Sequence, residues 1–278
     1  MKKSLKLMLG SAFLFTAAKA LDTSIEVSKY TVSSEKLPIE FDNFKIAHIS
    51  DYHNGPADGL YEILTIEKPD IICMSGDMTS DKKEDTYLPA VKLISHLTKI
   101  APCFIVSGNH DTWRTDFHEY VKQCREAGAY FLENEYFKLY KNGKHIIISG
   151  MQDVFTKVNP AEKATEYLKY FSVLEEYQIF LFHRANLLDT VKNFGFDLIL
   201  SGHLHGGQIR LPFIGGVCAP LSSLSGGERI IFPKYTAGMF KYGKTVMIVN
   251  RGLGNPIPLP RVFNRPEVGI ITLKSNRT

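Results

Sequence analysis

Cys103-Phe104-Ile105-Val106-Ser107-Gly108-Asn109-His110-Asp111 is the stretch that decides the fold. Its first four residues are a short apolar run of the kind that forms a buried strand. Such a strand delivers the residues after it to its carboxyl end, where open α/β sheets place their ligands. Gly108 is expected to let the backbone turn sharply. The next three side chains are a neutral oxygen donor, an imidazole and a carboxylate. A hydrophobic core has no use for that set, whereas a metal site that handles phosphate does.

Outward from this stretch, the same grammar recurs. Phe44 to Ile49 reads as the first core strand and runs into Ser50-Asp51-Tyr52-His53. Asp51 and His53 are two apart, so at a strand end both side chains are expected to point the same way. Asp70 to Met74 is a second strand, followed by Ser75-Gly76-Asp77. Gln178 to Phe182 is another, with His183 at its end. Asp197 to Leu200 leads into Ser201-Gly202-His203-Leu204-His205-Gly206-Gly207-Gln208, where His203 and His205 repeat the alternate spacing. Asp51 or Asp77 alone would read as a turn residue. Repetition after successive strands is what changes the reading.

Helical patterns separate these strands. Leu60 to Glu67 is a short helix. Leu88, Val91, Ile94 and Leu97 form a stripe expected to pack on the sheet. Residues 117 to 127 form a helix closed by Gly128, and Asn159-Pro160 reads as the cap and first residue of another. Tyr167, Leu168, Phe171 and Leu174 give that helix its apolar face. Leu187, Leu188 and Val191 suggest a further helix. Lys141-Asn142-Gly143 between apolar strands signals a hairpin, because Asn-Gly tolerates positive φ at both central positions. Residues 21–43 form a lead-in with an edge strand around Ile25 to Tyr30. Thr245 to Val249 and Val268 to Leu273 read as strands of a second sheet, and a hairpin turns at Gly243. His96, His118 and His145 are expected at the surface.

The 278 residues are 44% apolar and 22% charged, an ordinary globular balance with enough apolar residues for one sizeable core. No linker or repeat divides residues 44–278, which are read as a single domain. The net charge of +4 suits an anionic substrate or membrane surface and is too diffuse for nucleic acid. Cys73, Cys103, Cys124 and Cys218 show no CxxC pair, which disfavours a structural zinc. They read as free thiols, although the sequence leaves a disulfide open. Residues 1–20 differ from the rest. Lys2, Lys3 and Lys6 precede a 12-residue apolar run from Leu7 to Ala18, and Ala18-Lys19-Ala20 ends it. This describes a signal peptide or an uncleaved signal-anchor, with the domain exported. A buried N-terminal helix is the bland alternative.

Asp51, His53, Asp77, Asn109, His183, His203 and His205 are seven oxygen or nitrogen donors, enough for two divalent ions if one carboxylate bridges. No thiolate is among them, and imidazole with carboxylate suits manganese, iron or zinc. Two ions about 3.5–4 Å apart clamp the attacking and leaving oxygens of an in-line displacement and acidify a bound water toward about pH 7. Four positive charges less the two of Asp51 and Asp77 leave a doubly positive site, which attracts a phosphoester. His110 is left over as a proton donor to the leaving oxygen. Asp111 is expected to fix its tautomer.

These motifs resemble those of the calcineurin-like metallophosphoesterases: Asp51-x-His53, Gly76-Asp77, Gly108-Asn109-His110-Asp111, His183 and Gly202-His203-x-His205. The resemblance spans about residues 44 to 273. Gly206-Gly207-Gln208, Arg210-Leu211-Pro212 and Asn264-Arg265-Pro266-Glu267 resemble the membrane-associated YkuE/YaeI-type branch. The resemblance implies an α/β fold, a four-layer αββα sandwich with two mixed β-sheets. It implies that Asp51, His53 and His205 bind one metal, that Asn109, His183 and His203 bind the other, that Asp77 bridges, and that His110 is the catalytic histidine. The family often has proline two residues after the fourth motif's histidine. Ala185 stands there, and a looser loop is expected. Arg184 reads as solvated, with a reach to substrate phosphate as the alternative.

The function so implied is hydrolysis of a phosphodiester or phosphomonoester by metal-activated hydroxide, on a lipid-linked or cell-envelope substrate. Pyrophosphate cleavage of UDP-diacylglucosamine, which some relatives of this branch perform, is a second reading and would suit the cytoplasmic membrane face. A non-catalytic phosphate-binding protein is the reading from another class. Leu211, Phe213, Ile214, Val217, Leu221 and Leu224 either rim the site toward an acyl chain or membrane, or merely cover the core.

Overall fold

Strands that are apolar on both faces must be covered on both sides, and the core strands here are of that kind. The computed structural model describes residues 18–80, 85–154, 161–220 and 230–277. The N-terminal targeting reading up to residue 17, the Asn159-Pro160 cap, Leu221 and Leu224 lie outside the described residues.

In chain order the elements are β1 (Glu26–Ser34), β2 (Lys45–Ile49), α1 (Leu60–Glu67), β3 (Ile71–Met74), α2 (Leu88–Leu97) and β4 (Cys103–Ile105). The one-turn helix α3 (Asn109–Thr112), α4 (Phe117–Glu126), β5 (Tyr130–Phe131), β6 (Glu135–Lys141) and β7 (Lys144–Gly150) come next. Then come α5 (Ala161–Ser172), β8 (Gln178–Arg184), α6 (Leu188–Val191), β9 (Leu198–Gly202) and the small pair β10 (Arg210–Leu211) and β11 (Gly215–Gly216). β12 (Gly238–Tyr242), β13 (Thr245–Val249) and β14 (Glu267–Ser275) close the chain.

The strands make two six-stranded sheets, ordered β1-β14-β2-β3-β4-β5 and β12-β13-β9-β8-β7-β6. Each is mixed. In the first, β2 to β5 run parallel, and β14, read from sequence as part of the second sheet with β13, instead lies here between β1 and β2, antiparallel to β2. In the second, the centre is parallel, with an antiparallel hairpin at either edge. The lead-in strand β1 pairs in parallel with β14 along its whole length.

Period-two alternation sends successive side chains of each strand to different cores. Ile71 and Cys73 of β3 meet Ile179, Leu181 and Leu200 between the sheets. Ile72 and Met74 point the other way, onto Leu64 of α1, Ile94 of α2 and Tyr120 of α4. Phe180, Ile199 and Met247 leave the second sheet's outer face for Leu168, Phe171 and Leu188 of α5 and α6. Three cores between four layers are the αββα sandwich.

One helical face differs from its reading. On α2 the buried set is Ala90, Ile94 and Leu97, while Leu88 is 58% exposed. Steps of three drift around a 3.6-residue helix. Ile94 therefore continues upward to Ala90, not to Leu88. The Asn142-Gly143 hairpin is as read, with φ of 49° and 79°. The four cysteines are free, and Cys218 is half-buried.

Candidate metal centre

The carboxyl ends of the central strands of both sheets face one place. Asp51 and His53 follow β2, Asp77 follows β3, Asn109 and His110 follow β4, His183 is the penultimate residue of β8, and His203 and His205 follow β9. The two alternate pairs do not converge by strand alternation, as their spacing suggested. β2 ends at Ile49 and β9 at Gly202. Beyond those ends the backbone turns left-handed, with φ of 48° at Asp51, 47° at His53, 53° at Asp77, 77° at His203 and 47° at His205. Left-handed backbone is uncommon outside glycine. Here it re-aims five of the seven expected ligands within single residues.

Glycine has a different use here from the one expected. Gly108 is extended, with φ −101° and ψ −174°, so it makes no special turn. A Cβ on it would run into the Asp77 carboxylate. One on Gly76, where φ is 95°, would stand 2.6 Å from the Gly108 nitrogen and 2.8 Å from His183 Nδ1. Two ligand-bearing loops are thus laid backbone against backbone, which any side chain would prevent.

The facing atoms form compact groups. His53 Nε2 is 3.7 Å from Asp77 Oδ2, 4.0 Å from Asp51 Oδ1 and 3.3 Å from His205 Nε2. His205 Nε2 is 3.5 Å from Asp51 Oδ1. On the other side, His183 Nε2 is 3.1 Å from Asp77 Oδ2 and 3.2 Å from His203 Nδ1. Asp51, His53 and His205 form one set able to hold a metal ion. Asp77, His183 and His203 form a second, and all are buried. Asp77 stands between His53 and His183, and so between the two sets. His110 joins His53 and Asp77 in a third group, and is half-buried where the others are buried.

The donor set fits a cation on a separate count. Both amide atoms of Asn109 are buried without a hydrogen-bond partner, as is His203 Nε2. Buried polar groups are seldom left so, and a metal or phosphate oxygen would satisfy them. Around them, burial pushes the Asp77 carboxyl up, but the imidazoles of His183, His110 and His53 outweigh it and hold it well below the usual range. Burial pushes His183 down, yet Asp77, Asp51 and Asp153 lift it to about 10. Burial lowers His53 to about 3 and drives His203 and His205 well below the imidazole range. The neutral imidazoles of His53, His203 and His205 beside an ionised carboxylate are already in the ligand form for a divalent ion, whereas His183 must give up its proton to bind one. The Nδ1–H of His183 donates to the Ser75 carbonyl at 2.8 Å, which aims Nε2 at Asp77.

Two residues act otherwise than expected. Asp111 does not serve the His110 ring. Its oxygens accept from the Gly108 amide at 2.8 Å, from the Thr79 amide and hydroxyl at 2.9 Å each, and from the Met78 amide. It ties the loop after β3 to the loop after β4. Arg184 is neither solvated nor open to substrate. It is 1% exposed, and its Nε and Nη2 donate to Asp153 Oδ1 and Oδ2 at 2.6 and 2.9 Å. Ala185, in place of proline, is fully buried at the start of a 3-10 turn.

Sequence reasoning missed the support from the end of the chain. Asn264 donates to the carbonyls of His205 and Gln208 at 2.8 and 3.1 Å. Arg261 is buried, donates to the Arg251 carbonyl at 2.9 Å, and sets Nη2 3.4 Å from His205 Nδ1. The signal in the sequence was the Asn264-Arg265-Pro266-Glu267 motif, which carried no role until its neighbour in space was known. Beside the centre lies a cavity of about 500 Å³, lined by His110, Trp113, His205, Ile257 and Leu259 among others.

Residues 44–207 match the family model described as calcineurin-like phosphoesterase. The chain is 32% identical over 264 residues to the uncharacterized metallophosphoesterase YkuE of Bacillus subtilis, covering 90% of this chain and 86% of that protein. It is 26% identical over 241 residues to the phosphodiesterase YaeI of Escherichia coli, covering 83% and 82%. It is also 26% identical over 298 residues to the UDP-2,3-diacylglucosamine pyrophosphatase LpxG of Chlamydia muridarum, covering 87% and 88%.

Proposed function

Because the chain belongs to the calcineurin-like phosphoesterase family, we propose that it is a two-metal-ion hydrolase of a phosphodiester or phosphomonoester on a lipid-linked or cell-envelope compound. The observation that carries this reading is the pair of buried donor sets meeting at Asp77, with the partnerless Asn109 amide beside them. Asp51, His53 and His205 would hold one ion, Asn109, His183 and His203 the other, and Asp77 would touch both. Manganese suits this oxygen and imidazole set, as do iron and zinc. When bound, such a pair would make hydroxide available near neutral pH and would offset charge on phosphoryl oxygens.

The protein's own part is positioning. The His110 amide donates to Asp77 Oδ1 at 2.8 Å, which fixes the start of α3. The His110 ring then lies 4.8 Å from the His53 ring and borders the cavity. From there it donates a proton to the leaving oxygen. The apolar wall of Trp113, Ile257 and Leu259 suits a substrate with a greasy leaving group. The apolar run from Leu7 to Ala18, behind three lysines, supports a location at or beyond a membrane. Among the described residues no helix is long and apolar enough to cross one.

The test is a substrate panel with chelator-stripped and manganese-loaded protein. Glycerophospholipids, undecaprenyl phosphates, nucleotide diphospho-sugars and bis-p-nitrophenyl phosphate are the arms. Hydrolysis should vanish on stripping and return with manganese, and His110→Ala should lower kcat by about 10²–10⁴-fold. Full activity in stripped protein refutes the reading. The likeness to LpxG favours a second reading, pyrophosphate cleavage in a UDP-diacylglucosamine. Turnover confined to the nucleotide diphospho-sugar arm, with the domain facing the cytoplasm, would select it.

A further inference from the structure

Among the described residues, three phenylalanines are exposed and left-handed at once. Phe213 has φ 66° and is fully exposed, Phe232 has φ 53° and is 52% exposed, and Phe263 has φ 49° and is 42% exposed. A turn asks for glycine or asparagine at such positions. A bulky residue there is a backbone outlier, and these ring positions bury too little to repay it within the fold. The three also lie together. Phe213 tips the β10–β11 hairpin, and a surface cleft runs from Arg210 through Ile214 to Phe263. The Phe232 amide donates to the Val217 carbonyl, directly after β11. Leu211 and Ile214, 40% and 62% exposed, extend the patch.

What covers this face is indicated by where the apolar N-terminal run meets the domain. The Phe263 amide donates to the Ala20 carbonyl at 2.7 Å. The apolar run with Lys2, Lys3 and Lys6 before it therefore joins the domain at this patch, not on the far side of the sandwich. The next residue, Asn264, holds the His205 carbonyl. Around the same mouth, Ile257 and Leu259 are half-exposed while lining the cavity beside His110. A tether, an apolar rim and a site entrance thus share one side of the molecule.

We propose that the face bearing Phe213, Phe232 and Phe263 docks into a phospholipid bilayer, so that the cavity beside His110 opens onto lipid. The proposal rests on the reading of the centre as a phosphoesterase only for its consequence, delivery of a membrane-borne phosphate ester without its crossing water. Docking itself is monotopic, by apolar side chains in the headgroup and acyl boundary.

Trp113 reports it directly. It is the chain's only tryptophan, is 48% exposed, and lies 5.0 Å ring to ring from His110. The full chain is added to phosphatidylcholine–phosphatidylglycerol vesicles with or without bromine on the acyl chains. Brominated vesicles should quench Trp113 by about twofold, since docked side chains sit roughly 5–10 Å deep. Phe213→Ser with Phe232→Ser should abolish that quenching. The pair should also lower hydrolysis of a vesicle phospholipid at least about tenfold, the affinity equivalent of losing a buried phenylalanine, while leaving bis-p-nitrophenyl phosphate hydrolysis within about twofold. Full chain that sediments with both vesicles but shows equal Trp113 emission overturns the proposal, because the N-terminal run alone then holds it. Quenching that survives the double substitution overturns it too, as does a patch that binds only protein. Failure of the phosphoesterase reading shows separately, as no turnover of the soluble diester by manganese-loaded wild type.

Discussion

Replacing Arg184 with methionine tests whether the residue after His183 serves the fold or the substrate. The guanidinium and the Asp153 carboxylate are each about 1% exposed and meet through two short bonds, 2.6 and 2.9 Å. At a charge separation near 4 Å and an effective dielectric of about 20, their attraction is roughly 4 kcal/mol. Removing one partner leaves a buried anion, and such losses run about 3–5 kcal/mol. Burial already pushes the Asp153 carboxyl up, against the pull of Arg184, and without the arginine that pull is gone. Urea unfolding at pH 8 should show R184M destabilised by about 3–5 kcal/mol. The double variant R184M/D153L should recover most of that, since replacing both charges by apolar groups is often neutral or better. In soluble-ester assays R184M should lose kcat through His183 and keep KM. A loss below about 1 kcal/mol, the range of an exposed ion pair, or a raised KM with unchanged kcat, refutes the buried-strut reading and restores contact with substrate phosphate.

Two more outcomes rest on single residues. His48 is fully buried with Nε2 2.8 Å from the Ser75 hydroxyl, and burial lowers its imidazole from 6.5 to about 4. The unfolded chain then binds the proton better, so this stabilisation is complete above pH 6.5 and is lost as pH falls through 4. The full swing is roughly 3 kcal/mol, and chemical unfolding of His48→Gln should show a flatter stability profile across that window, an unchanged slope being the contrary result. Gly108→Ala keeps an allowed backbone but pushes a methyl against Asp77. Hydrolysis should fall by about 10²-fold for a shift near 1 Å, with manganese binding measured by calorimetry weakened in parallel, and near-wild-type binding would show that the loops are not tightly stacked.

The sandwich and the strand ends that carry the expected donors were legible because each lesson is local. A strand alternates over four or five residues, and a ligand follows its end. Asp111 and Arg184 were misread because their partners are remote in sequence. Arg184 meets Asp153 across 31 positions, and Asp111 meets Thr79 across 32. A charged residue beside a motif looks like chemistry until its acceptors are known. Gly108 was misread for another reason. Glycine permits both a turn and a close approach, and sequence does not separate the two. The α2 stripe failed on geometry alone, since a run spaced three apart does not stay on one face.

Five donors in left-handed backbone would cost of order 1–3 kcal/mol each if nothing else held them. Each loop is instead held by the next. The Asp51 amide donates to the Gly76 carbonyl at 3.0 Å and the His53 amide to the Asp77 carbonyl at 3.1 Å. The His203 amide donates to the Asp51 carboxylate at 3.1 Å, and the His110 amide to the Asp77 carboxylate at 2.8 Å. Thus a backbone donor from one ligand loop orients the carboxylate of another, across both sheets. Asn264 then closes the ring by holding the His205 turn from the far end of the chain. A network of this kind over-determines the strained residues and presets the donors before any cation arrives. It also makes substitutions among the seven non-additive: the first loss releases a neighbouring loop, and a second in that loop has less left to disturb.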